Sequence, residues 1–86
     1  MSTLMITHDV DNVEHWLASP KREELLGPLG ITARPCVDSD RSNHVGLVVE
    51  APDIDTLQRV LASPEAAAAM KHDGVQPETL HIMVQP

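Results

Sequence analysis

Apolar and polar positions follow two rhythms along the chain. Thr3–His8 is a short apolar stretch in which Leu4, Ile6 and His8 share one parity, and it predicts a strand. Val13, Trp16 and Leu17 then recur at three- and four-residue spacing, the period of one helix face. Ile31–Val37 and the β-branched run His44–Glu50 return to strand character, separated by the polar turn Asp38–Asn43. Leu57, Val60 and Leu61 repeat the helical spacing. In Leu80–Val84, Leu80, Ile82 and Val84 share one face, and His81 and Met83 share the other. The predicted order is strand, helix, strand, strand, helix, strand.

The two helical stretches are copies of one another. The string LASP stands at Leu17–Pro20 and again at Leu61–Pro64. At the same offset, Asp11 matches Asp55, Leu26 matches Met70 and Gly30 matches Gly74, with no gap between. Each copy predicts an acidic residue opening a helix, where free N–H groups favour it. Proline is tolerated only in a first turn, so Ser19 and Ser63 are expected to cap a second helical segment beyond a kink. Gly30 and Gly74 are expected to end those segments.

Two such halves, about 1–42 and 43–86, make a single α+β domain over 1–86 with the ferredoxin-like βαββαβ order. The expected sheet is antiparallel, in the order 4-1-3-2, with both helices on one face. The other face then carries His44, Gly46 and Val48 from the third strand and His81 and Met83 from the fourth. A chain of 86 residues with one Trp and no Phe or Tyr builds a thin core. A second copy packed sheet to sheet is the simplest cover for the open face.

With this order the chain resembles the dimeric α/β-barrel superfamily. That group holds antibiotic-biosynthesis monooxygenase-like, polyketide cyclase-like, muconolactone isomerase-like and stress-response barrel proteins. The resemblance covers nearly the whole chain as strand order, length and open sheet face. The stretch SPEAAAAMKHDGV, followed by Pro77 and a terminal strand, is similar to the second half of small bacterial proteins of the group. It implies a homodimer with an apolar pocket for a small molecule. The group's cofactor-free oxygenases use Asn, Trp and His. Asn43, Trp16 and His44 supply those residue types without matching a motif, so no catalytic residue is carried over.

Charge and composition narrow the function. Thirteen acidic residues against six Lys and Arg, a net charge of −7 with neutral histidine, oppose nucleic-acid binding. No apolar run reaches the ~20 residues of a membrane span. A lone Cys36 and an N-terminus without a signal-peptide pattern are expected of a cytoplasmic protein. Cys36 itself has no basic neighbour in sequence and is expected in the core. Asp38–Asn43 opens like a calcium loop but lacks the later glycine and acid, and predicts a solvated turn. Lys21–Glu24 predicts a solvated helix face with some charge pairing.

Five histidines carry most of the candidate chemistry. The topology gathers His8, His15, His44, His72 and His81 at one end of the sheet. His15 is expected to be solvated, and His72 is accounted for by the helix C-terminus beside it. His8, His44 and His81 are the candidate acid–base residues, with Trp16 and Met83 lining a substrate pocket. The leading expectation is an enzyme that enolises, cyclises or oxygenates a small apolar metabolite, with no cofactor. A second is a non-catalytic protein holding a divalent, zinc-like ion on His8, His44 and His81. A third is a partner-binding module that uses its open sheet face or an edge strand.

Overall fold

The computed structural model describes residues 1–86. β1 (Ser2–Val10) leads into two short helices, α1 (Val13–Ala18) and α2 (Lys21–Leu26), and a 3-10 turn at Gly27–Leu29. β2 (Thr32–Val37) and β3 (His44–Ala51) follow, then α3 (Ile54–Leu61), α4 (Pro64–Asp73) and β4 (Val75–Val84). The four strands form one antiparallel sheet in the order β2-β3-β1-β4, as the strand pattern requires.

Each predicted helix is two segments, broken at the Ser-Pro pairs. Ser63 caps α4, its side chain accepting from the Ala66 N–H at 3.2 Å. In the first half Pro20 takes the cap position of α2, and Ser19 Oγ accepts from the Lys21 N–H instead. Gly30 and Gly74 are left-handed, at φ 73° and 74°, and end their segments as expected.

The opening caps differ from the repeat. Asn12, not Asp11, caps α1 by accepting from the His15 N–H at 2.9 Å. Asp53, not Asp55, caps α3 by accepting from the Thr56 N–H at 2.7 Å. A cap must be extended with its oxygen over the third helical N–H. Asp11 stands one residue before the cap, its N–H donating to the Gly74 carbonyl at 2.9 Å and its Oδ1 accepting from Gln76 Nε2 at 3.1 Å. The halves therefore enter their helices at different points of the repeat.

Even-numbered residues of β1 and odd-numbered residues of β3 face the helices. Leu4, Ile6, Val10, Val45, Leu47 and Val49 meet Trp16 and Leu57 there in one buried cluster. Leu17 falls outside it and is exposed, because six residues of α1 can turn only one side inward. Cys36 is also exposed, opposite Gly46 on the open face. The Asp38–Asn43 link is a turn organised by Asp38, whose carboxylate accepts from Ser42 Oγ and the Asp40 N–H.

β4 is longer than its alternating segment. It starts at Val75 and contains Pro77, and the cost of that proline is met by a break in pairing. Thr7 faces His81 but Asp9 faces Gln76, so Pro77–Leu80 bulge opposite His8. Thr79 Oγ1 accepts from the Asp9 N–H at 2.8 Å and donates to the Gln76 carbonyl at 2.7 Å, closing the gap.

Gly30→Ala and Gly74→Ala test the helix ends. A left-handed alanine costs roughly 1–2 kcal/mol at either site. At Gly74 the added Cβ also meets the Asp11 Cβ at 3.3 Å, whereas Gly30 faces open space. Urea unfolding should show the larger loss for Gly74→Ala, and equal losses would contradict the Asp11 contact.

Candidate functional site

Polar side chains enter the space between sheet and helices from three elements. His8 points inward because it shares the parity of Leu4 and Ile6 on β1, and it is only 3% exposed. Trp16, from α1, meets its ring edge to face with centroids 5.7 Å apart. The Arg22 guanidinium, from α2, stacks over Trp16 at 4.9 Å from the ring centroid. Asp73, the last residue of α4, is 5% exposed, and its Oδ1 accepts from His72 Nδ1 at 2.9 Å.

These four groups wall one cavity of about 70 Å³. The remaining wall is almost wholly aliphatic, and Leu61, Met70 and Leu80 are among its partly buried members. Leu80 reaches it from the β4 bulge. Two buried side-chain polar atoms of the protein make no hydrogen bond, His8 Nδ1 and Arg22 Nη1. Both residues are among those that line this cavity. A buried donor or acceptor without a partner costs about 1–3 kcal/mol, so each is a costly feature.

Burial pushes the His8 imidazole below its ordinary 6.5, and the Arg22 and His44 charges add to the effect while Asp9 opposes it. His8 is therefore neutral at neutral pH and able to accept a proton. Burial also lowers Arg22, with the charges of Asp73 and Glu23 working against it.

Of the residues expected at a site, His8 and Trp16 come together. His44, His81 and Met83 do not join them. The pairing of Asp9 with His44 and of Thr7 with His81 puts both imidazoles on the open face of the sheet, with Met83 beside them. All three side chains are exposed, and His44 Nδ1 lies 2.7 Å from Asp9 Oδ1. An ion shared by His8, His44 and His81 would have to touch both sides of the sheet, so the structure offers no common point for that ligand set.

Arg22 and Asp73 are the cavity residues that strand and helix spacing did not single out. Arg22 was expected on a solvated face together with Lys21, Glu23 and Glu24. Lys21, Glu23 and Glu24 are exposed as expected, with Lys21 3.9 Å from Glu24, and only Arg22 departs from that face. The signal for Arg22 was its helix face, shared with Leu25 and Leu26. Asp73 likewise continues the inward row of Ala66 and Met70 on α4.

The arrangement is a two-layer ferredoxin-like domain with a small cavity between its sheet and helices. No family model matches the chain, and no curated protein matches it. Solved structures do. An antibiotic biosynthesis monooxygenase structure from Bacteroides thetaiotaomicron superposes with a TM-score of 0.67 at 20% identity, covering 99% of this chain and 87% of that one. A second antibiotic biosynthesis monooxygenase gives 0.65 at 14% identity over 100% of this chain and 97% of the other. An ethyl tert-butyl ether d (EthD) family protein from Bacillus halodurans gives 0.57 at 16% identity, over 100% and 98%. At these identities the likeness is one of fold: the chain has the architecture of the antibiotic biosynthesis monooxygenase-type structures.

The buried imidazole predicts a pH dependence of stability. The unfolded chain binds a proton at His8 near pH 6.5 and the folded chain only at lower pH, so unfolding takes up a proton between those values. The stability is fully present above pH 6.5 and falls as the pH drops from there to the lowered folded value. Urea midpoints measured across that window should fall less steeply in His8→Asn than in the parent protein. An unchanged slope would place the titration elsewhere.

Proposed function

We propose that this chain is a small-molecule enzyme of the dimeric α/β-barrel type, which removes a proton from a small, mostly apolar metabolite. The observation that carries the reading is the pair of partnerless polar atoms, His8 Nδ1 and Arg22 Nη1, in one aliphatic cavity. Apolar walls with a few convergent polar groups are the usual form of a ligand site.

The chemistry follows from the two groups. Neutral His8 accepts the proton of an acidic C–H or O–H, and the electron pair of that bond moves onto the substrate oxygen. The resulting enolate or phenolate is stabilised by the Arg22 guanidinium, whose charge is little screened in a dry pocket. Trp16 holds Arg22 from below and His8 from the side. Such an oxyanion is a common intermediate of isomerisation, ring closure and direct reaction with dioxygen. The name shared by the monooxygenase structures points to the last of these. A cavity of about 70 Å³ admits only the reacting end of a molecule, since one water occupies ~30 Å³ of liquid. The flexible Met70 and the partly exposed Leu61 give way to the rest.

The open face belongs to a second copy in this reading. Val48, Met5 and Met83 lie side by side across three strands, with the two methionines 45% and 51% exposed. Only sixteen residues of the chain are buried by its own fold, which leaves the sheet in need of a cover. His44 and His81 then lie within the sheet-to-sheet contact and not in the cavity.

A phenol that changes colour on ionisation tests the pocket. Mixed with 4-nitrophenol near the phenol's own pKa, the protein should increase the phenolate absorption band. Arg22→Met should weaken that binding by roughly tenfold or more, the value of a charge-assisted hydrogen bond. His8→Phe should also abolish the change in band, and His44→Ala should leave it intact. No change in the band with the parent protein would sink the assignment.

The dimer has its own measurement. Light scattering should give twice the chain mass, and Met5→Asp should give the single-chain mass with the circular dichroism spectrum retained. A monomeric parent protein would overturn the sheet-to-sheet arrangement.

A further inference from the structure

We infer that His15, His72 and Asp73 form a binding site for a divalent transition-metal ion, such as Zn²⁺, Ni²⁺ or Co²⁺, where α1 meets the end of α4. One ligand atom from each of the three lies within 4.8 Å of the other two. The imidazoles of His15 and His72 are tilted towards each other with centroids 5.3 Å apart. Two imidazoles on one tetrahedral ion, with bonds of ~2.0–2.1 Å, hold their centroids roughly 5 Å apart, so the rings already stand at a fitting distance. Both side chains are exposed, and closing on an ion would exchange the hydrogen bonds they now make, His15 Nε2 to the His72 carbonyl and His72 Nδ1 to Asp73 Oδ1.

The third ligand is of a different kind. Asp73 is buried, and its Oδ1 meets His72 Nδ1 at 2.9 Å. A metal ion would take the place of the proton between these two atoms and release it to solvent. The end of α4 favours a cation, against the opposing charge of Arg22, which also draws on Asp73. The site lies at the C-terminal end of α4, where free carbonyl groups give a negative field, and the His72 carbonyl is already turned to His15 Nε2 at 2.8 Å. Asp11 lies against Gly74 and adds a further carboxylate nearby. Two imidazoles with one carboxylate select zinc-like ions over calcium and magnesium, which prefer all-oxygen shells.

The site is separate from the His8 set and shares only Asp73 with the cavity. The competing group on the open face, His44 with Asp9, supplies two donors and no third. It therefore serves as the control.

The test is a calorimetric titration of the metal-free protein with Ni²⁺, followed by Co²⁺ with its visible spectrum recorded. One ion per chain is expected, with an intense cobalt band of low coordination number. His15→Ala and His72→Ala should each weaken binding by roughly tenfold or more, and His44→Ala and His81→Ala should leave it unchanged. Both target side chains are exposed, so circular dichroism should confirm that the variants fold. Absence of saturable binding by the parent protein would overturn the site. So would binding that survives His15→Ala and His72→Ala and is lost in His44→Ala.

Discussion

β1 is hydrogen-bonded along both edges, to β3 on one side and β4 on the other. That double pairing decides which of its side chains lie beneath the helices. In a two-layer fold only one sheet face is buried, and a slip of one residue would exchange the faces completely. Leu4, Ile6 and Val10 hold the register by their burial, and His8 is carried inside among them. Asp9, one residue on, is sent to the other side, where it meets His44. The separation of the buried imidazole from the exposed ones is therefore a property of strand parity.

A thin core then receives three polar groups that it does not fully satisfy. Burying a guanidinium is costly, and part of the cost is offset by the face of Trp16 and the charge of Asp73. Asp73 in turn is fixed by His72. Trp16 is the common surface, touched by His8 on one side and Arg22 on another. The sole aromatic residue of the carbocyclic or indole type thus acts as both core and pocket wall. The β4 bulge adds to this by interrupting the sheet beside His8 and turning Leu80 inward.

Much of the architecture was legible in residue order. Alternation in β1 and β3, the repeated Ser-Pro breaks and the two left-handed glycines identify the strands, the helix pairs and their ends. What was less legible depends on phase. Asn12 and Asp53 cap the helices in place of Asp11 and Asp55, a shift of one residue in the first half and two in the second that the repeat does not announce. Arg22 is inward because Ser19 and Pro20 restart the helix with a new phase, so the face of α1 does not extend to α2. The candidate site was half visible. Parity had already set His44 and His81 on the open face, and they were grouped with His8 only because all three stand at one end of the sheet; the burial of His8 beside Trp16 separates it from them.

The brevity of α1 and α2 has a mechanical consequence. Each has six residues, too few to persist in water without the packing beneath it. β1, by contrast, is held by neighbours on both sides. The molecule therefore has a stiff floor and a loosely jointed roof, hinged where Ser19 and Pro20 part the two helices. Small openings of that roof cost far less than unfolding the sheet. An opening of α1 and α2 leaves the strands that aim His8 paired.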